Sequence, residues 1–251
     1  NIEFQFENSI NFVGGVVGKV QKVLNFDYGD REFPNMLKVS NIKGISGIGY
    51  LGGIAGYVYE LNNYVEEDVK DAMGVSQNRP NGSYFIELNN IEINETTNTG
   101  VDSEYARFLK ENETIIDEYF GHIGGVYGYI AKNNSENQLV LESYKLSEIK
   151  INSKTNFAGG LISITSNAKI KNITLDSLNI CGDFSNGNIK SQFIGGLAGQ
   201  VGHSMEASGV KVRNIIISEN PNYSLVTGSD YVGGLFGSAY GTSITNVKAL
   251  H

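Results

Sequence analysis

A seven-residue phrase built around paired glycines recurs six times in this chain and constrains its fold more than any other feature. It reads FVGGVVG from Phe12, YLGGIAG from Tyr50, HIGGVYG from His122, FAGGLIS from Phe157, FIGGLAG from Phe193 and YVGGLFG from Tyr231. The pairs begin at Gly14, Gly52, Gly124, Gly159, Gly195 and Gly233, at spacings of 38, 72, 35, 36 and 38 residues. A near-constant period in this range marks a repeat architecture, in which each unit buries its apolar face against its neighbours.

Each phrase is followed by a second extended stretch, starting at Met36, Tyr84, Leu139, Lys169, Val210 and Ser243. There Ile, Val and Leu alternate with Lys, Asn, Ser and Thr, the pattern of a strand with one buried and one solvated face. Strands that repeat at this short period fit coils stacked about 4.8 Å apart. The expected fold is therefore all-β: a right-handed parallel β-helix (β-solenoid) of about six coils. Residues 1–251 read as a single solenoid segment of a longer protein, because both ends fall inside a repeat.

Within the second stretches an Asn-Ile or Asn-Val step recurs at Asn41, Asn90, Asn172, Asn214 and Asn246, with Glu148 in its place before Ile149. Asn side chains in register on adjacent strands form amide ladders, so Glu148 is expected to interrupt one. The paired glycines need a cause, since Gly in a strand interior costs roughly 0.5–1 kcal/mol relative to Ala. Two arrangements fit: a flat strand thinned at the first glycine, or a bulge that brings the residues on either side of the pair onto one face. Strictly apolar residues on both sides favour the bulge. It would leave Phe12, Tyr50, His122, Phe157, Phe193 and Tyr231 as a ring stack nearer the surface or at a corner.

The 72-residue interval divides into an ordinary repeat interrupted by two insertions, at about 58–81 and 95–119, on either side of the strand beginning at Tyr84. Val65, Val69, Ala72 and Met73 in one, and Tyr105, Phe108, Leu109, Ile115 and Ile116 in the other, fall at helical spacing. The first stretch carries five acidic and two basic residues, the second seven and two, which together equal the whole formal charge of −8. Their acidic faces, Glu66, Glu67 and Asp68 with Glu111, Glu113, Asp117 and Glu118, are the candidate partner-binding residues, expected to meet a basic surface. The alternative is that they keep two surface helices soluble.

Several function classes are disfavoured. Four scattered arginines and net negative charge argue against a nucleic-acid groove. No run of 18 apolar residues is present, so no membrane-spanning segment is expected. The one cysteine, Cys181, excludes an intrachain disulfide framework and reads as a small buried residue. His122, His203 and His251 are too far apart for a zinc-protease motif, and neither a nucleophile elbow nor a phosphate loop occurs. Asp176 and Asp183, with Lys169 and Lys171, are the charged groups nearest to a lyase-like or hydrolase-like cluster, and they read first as a solvated strand face.

The VGG[LIV]xG phrase followed thirteen residues later by Asn-Ile, as from Gly159 to Asn172 and, with Asn-Val, from Gly233 to Asn246, resembles the GLUG repeat of bacterial extracellular proteins. That resemblance covers nearly the whole chain outside the insertions. It implies a non-catalytic module of a cell-surface or secreted bacterial protein, acting in adhesion or as a spacer stalk. Its partner would be a host or cell-surface protein or glycan, with no cofactor, and the chain would continue into further domains. The resemblance also admits a substrate-engaging domain of a secreted zinc metallopeptidase that cleaves immunoglobulin A. A carbohydrate-active β-helix is a more distant reading.

Overall fold

The computed structural model describes residues 11–25, 37–47, 49–62, 86–95, 121–131, 139–154, 157–182, 193–202, 205–208, 211–213, 226–227, 231–245 and 247–250. Every regular element among them is a strand, and every strand pairing is parallel. The six Gly-Gly phrases supply one sheet, from Asn11–Gly14, Gly49–Gly52, His122–Gly124, Phe157–Gly159, Phe193–Gly195 and Tyr231–Gly233. Spatial order equals sequence order, and Val13, Leu51, Ile123, Ala158, Ile194 and Val232 stand in register.

A second six-stranded sheet follows directly: Val17–Asn25, Ala55–Asn62, Tyr127–Ile130, Ile162–Ser166, Ala198–Gly202 and Phe236–Ala239. The third sheet takes Leu37–Gly47, Ile86–Glu95 and Tyr144–Ser153 as long strands, then Thr174–Asp176 and Asn179–Gly182 as two halves of one. It continues through Lys211–Arg213, Val226–Thr227 and Lys248–Leu250. A fourth, from Leu139–Glu142, Ala168–Lys171, Met205–Ser208 and Thr242–Thr245, joins the second to the third in the later repeats. Each repeat thus visits three or four sheets, where the sequence pattern suggested two extended stretches.

The glycine pair is a corner between two sheets, which corrects the expected bulge. The first glycine ends a first-sheet strand, the next two residues bend, and the second sheet begins on the fourth. Both flanking apolar residues do point inward: Leu51 and Ile54, Ile123 and Val126, Ala158 and Leu161, and Ile194 and Leu197 are all buried. Close approach explains the glycines. A Cβ on Gly159 would lie 2.1 Å from the carbonyl oxygen of Ile162, across the bend in its own repeat. One on Gly160 would lie 2.1 Å from the carbonyl oxygen of Gly196, in the next repeat.

The core inside these walls is aliphatic, with Ile91, Ile93, Leu146, Ile149, Ile151, Leu175 and Ile180 among its buried members. Tyr127 and Tyr144 are the large polar-tipped exceptions. Their hydroxyls meet each other at 3.0 Å, so neither oxygen is left unsatisfied in the interior.

The aromatic slot forms one continuous ring stack. Successive centroids from Phe12 to Tyr50, His122, Phe157, Phe193 and Tyr231 lie 5.0, 5.3, 5.4, 5.1 and 4.6 Å apart. The stack was expected nearer the surface or at a corner; it runs beside the Gly-Gly corner, and Tyr50, His122 and Phe157 are buried there. Second-sheet rings account for this: Tyr57 sets its edge against Phe12 and Tyr50, and Tyr129 packs on Tyr50 and His122. Ring faces spent on one another leave no flat platform for a sugar along the middle of the stack.

His122 is the one departure from Phe or Tyr in its column, and Ser163 the one departure from the phrase's closing glycine. The two touch. Ser163 Oγ donates to the Gly128 carbonyl at 2.6 Å, which commits its only proton. His122 Nδ1–H therefore donates to Ser163 Oγ, at 3.1 Å, with both side chains fully buried. Ser163→Ala is expected to cost roughly 1–3 kcal/mol by leaving buried polar groups unpaired. In a His122→Phe background the same change should cost clearly less, and a double-mutant cycle of denaturant melts measures the difference.

The helical insertions are corrected at their margins. Val58 to Asn62 continue the second-sheet strand Ala55–Asn62, and Glu95 closes the third-sheet strand Ile86–Glu95. The remaining residues of both stretches lie outside the described residues. Among the described residues no helix is long and apolar enough to cross a membrane.

Candidate interaction surface

The outward face of the third sheet carries a row of hydrogen-bonded and paired polar side chains, and a backbone irregularity doubles the polar positions on it. Asn41, Asn90, Glu148 and Ser177 adopt φ of 57°, 55°, 54° and 56°. They lie in one column: Ser40 and Ile42 register with Asn89 and Ile91, which register with Ser147 and Ile149. Asp176 and Asn179 then register with Ser147 and Lys150. One left-handed residue shifts the in–out alternation by one, so two consecutive polar residues face out and Ile91, Ile149 and Leu178 return to the core.

Asn tolerates this conformation because its short amide bonds locally; most side chains there cost about 1–2 kcal/mol. That is the physical reason for the Asn-Ile step. The amide ladder exists where two asparagines adjoin, with Asn90 Nδ2 donating to Asn41 Oδ1 at 2.8 Å. Asn172 does not belong to it. Its strand registers with Leu139–Glu142, which sets Asn172 beside Ser143 at a different corner, where both also have positive φ. Asn214 and Asn246 lie outside the described residues. Glu148, exposed and left-handed beside Asn90, is the weak member. Glu148→Asn should stabilise the protein by about 1 kcal/mol, while Glu148→Ala should not, as denaturant melts will report.

Charge is laid across the strands in alternating sign. Lys38 pairs with Glu87 at 3.6 Å, and Lys145 registers on the other side of Glu87. Lys150 pairs with Glu92 at 3.4 Å. Asn94 donates to Glu92 at 3.2 Å, and Asn152 in turn donates to Asn94 Oδ1 at 2.5 Å. The Glu92 carboxyl is held below its ordinary range first by the Asn94 amide; partial burial opposes that, and the charge and hydrogen bond of Lys150 add to the lowering. Such exposed pairs each contribute little to stability, about 0–1 kcal/mol. Their consequence is a flat, pre-ordered polar surface. A shallow groove crosses it over Lys38, Ser40, Glu87, Asn89, Lys145 and Ser147.

The residues singled out from sequence are distributed differently. Glu66, Glu67, Asp68, Glu111, Glu113, Asp117 and Glu118 all lie outside the described residues, as does Asp183. Asp176 lies on the third-sheet face and accepts a bond from Ser177 at 3.0 Å. Lys169 and Lys171 stand on the fourth sheet, so the proposed cluster is not assembled on one sheet. Cys181 is half-buried on the outward side, its Sγ 3.1 Å from Asn179 Oδ1, and is not a core residue. The sequence signal for the surface that was missed is the doublet breaking strict alternation: Ser40-Asn41, Asn89-Asn90, Ser147-Glu148 and Asp176-Ser177.

Among the described residues no group of three or more His, Cys, Asp or Glu is placed to hold a metal ion. Comparison with protein-family models, with curated proteins and with solved structures found no match to this chain.

Proposed function

We propose that the chain is a right-handed β-solenoid module of the GLUG type from a bacterial cell-surface or secreted protein, non-catalytic, acting in adhesion or as a spacer. The observation that supports it most is the parallel, in-register stacking of all six Gly-Gly phrases in sequence order. Such stacking yields a stiff body whose outer walls are repetitive, and repetition suits extended contact with a partner surface. The third-sheet face, with its alternating Lys and Glu and its fixed amides, is the described wall best suited to a polar host protein or glycan.

Beads coated with the protein should be retained on epithelial cells or on a glycan array above beads coated with an unrelated protein of equal charge. Retention at the control level on both surfaces overturns adhesion. Loss of retention in a Lys38→Glu, Lys145→Glu variant assigns the contact to the third-sheet face. Retention that survives there, but is lost when the seven acidic residues from Glu66 to Glu118 are neutralised, assigns it to the acidic stretches.

A further inference from the structure

The outward face of the third sheet is basic, although the chain as a whole has a formal charge of −8. Residues facing the same way form rows that cross the strands along the stacking direction. In the first row Lys38 registers with Glu87, Glu87 with Lys145, Lys145 with Thr174, Thr174 with Lys211 and Lys211 with Lys248. A second row repeats the opening of that order. Lys43 opposes Glu92 at the irregularity between Ile42 and Ile45, Glu92 registers with Lys150, and Lys150 with Asn179. Between the two rows Asp176 registers with Arg213. With Glu148 included, these positions among the described residues hold seven basic and four acidic residues. The fourth sheet is balanced by contrast, with Lys169 beside Glu206 and Lys171 beside Glu142.

Spacing makes the first row selective. Lys38, Lys145 and Lys211 stand on every second strand, which sets them about 9.6 Å apart at the usual strand separation. Glu87 and Thr174 occupy the strands between them. An anionic group over Lys38 or Lys145 meets an opposite charge, and one over Glu87 meets a like charge. Lys38 stays accessible to a ligand, because its side chain is 64 % exposed even while paired with Glu87. Ser40, Asn89 and Ser147 line the shallow groove together with Lys38, Glu87 and Lys145. Serine hydroxyls and an asparagine amide both donate and accept, as contact with sugar hydroxyls requires.

We infer that this row binds a linear polysaccharide in which a uronic acid alternates with an uncharged sugar, laid along the stacking direction. Two rings of such an extended chain span nearly the same length as two strand separations. Successive carboxylates then meet Lys38, Lys145 and Lys211, while the uncharged rings pass over Glu87 and Thr174. A polysaccharide charged at every ring sets a carboxylate on Glu87, and a nucleic-acid strand sets a phosphate there. The inference rests on the adhesive role proposed for this wall and names the ligand class that the wall selects.

Titration calorimetry at low salt tests it on the 251-residue protein. The probes are hexasaccharides of hyaluronan (glucuronate alternating with N-acetylglucosamine), of uncharged chitin and of fully charged polygalacturonate, with a thymidine hexanucleotide. Hyaluronan should bind most tightly, although polygalacturonate carries twice its charge, and added salt should weaken it. A Lys38→Gln, Lys145→Gln protein should melt like wild type and raise the hyaluronan Kd roughly 10-fold, as for two exposed charge contacts. Lys169→Gln with Lys171→Gln removes the same charge from the fourth sheet and should leave that Kd unchanged. Glu87→Gln should narrow the preference for hyaluronan over polygalacturonate, which bulk attraction alone does not foretell. Tighter binding of polygalacturonate or of the oligonucleotide, or equal losses in the two double variants, would overturn the inference. If no probe binds while coated beads still attach to cells through Lys38 and Lys145, the polysaccharide is wrong and the adhesive reading stands. If the beads fail as well, both fall.

Discussion

Gly160→Val is expected to lower the free energy of unfolding by roughly 3 kcal/mol or more, beyond the usual range for overpacking a core. The Cβ would sit 2.1 Å from the Gly196 carbonyl oxygen and 3.0 Å from Leu178 Cδ1. A flexible side chain could withdraw, but the nearer atom is backbone, and that backbone is hydrogen-bonded. Gly160 N–H donates to Gly196 O at 3.1 Å and Leu161 N–H to Leu197 O at 2.9 Å, so relief requires the fourth and fifth repeats to separate where backbone bonds join them. The packed interior has no slack to absorb the shift. Gly234→Val is the matched control, because it changes the same position of the phrase with open space around the new atoms. Urea melts of dilute protein should give a large loss for the first and less than about 0.5 kcal/mol for the second, as at ordinary surface sites. Equal losses would mean that the glycine serves its own repeat and not the stacking of repeats.

The stacking order was legible in sequence because it needs only identical strands at a constant interval. In-register parallel pairing then follows from superimposing like on like, and Leu51 on Ile123 or Phe157 on Phe193 is what results. The corner was not legible. Apolar residues on both sides of Gly159-Gly160 satisfy a bulge and a corner equally, and only the distance from Gly159 to the Ile162 carbonyl separates them. That distance belongs to the folded chain.

A different failure occurred in the Asn column. Asn172 and Asn90 share the wording Asn-Ile, yet Asn172 turns the chain between the fourth and third sheets while Asn90 lies within the third. Both positions need positive φ, and Asn meets that need at either, so residue identity alone could not assign the column. The doublets of polar residues did carry the distinction. Strict alternation fails at Asn89-Asn90 and Ser147-Glu148, and such a failure inside an otherwise regular strand requires an irregular residue there. The His122–Ser163 pair was half visible: both departures from the phrase stand out in sequence, but their contact spans 41 positions.

Leu197→Ala should cost roughly 2–5 kcal/mol, the range for truncating a fully buried leucine. Leu197 occupies the corner slot of the fifth repeat, has no exposed surface, and lies within the continuous core. Walls of backbone on both sides, fixed through Leu161 N–H to Leu197 O and Leu197 N–H to Leu235 O, prevent the cavity from collapsing. Leu235 fills the same slot in the sixth repeat but is only partly buried against the core. Its truncation removes less contact and leaves a space open to water instead of a sealed void, so its cost should be well under half that of Leu197→Ala. Denaturant melts of the two variants read the difference directly. Equal penalties at Leu235 and Leu197 would show that burial in the intact stack does not set the cost of truncation at this slot.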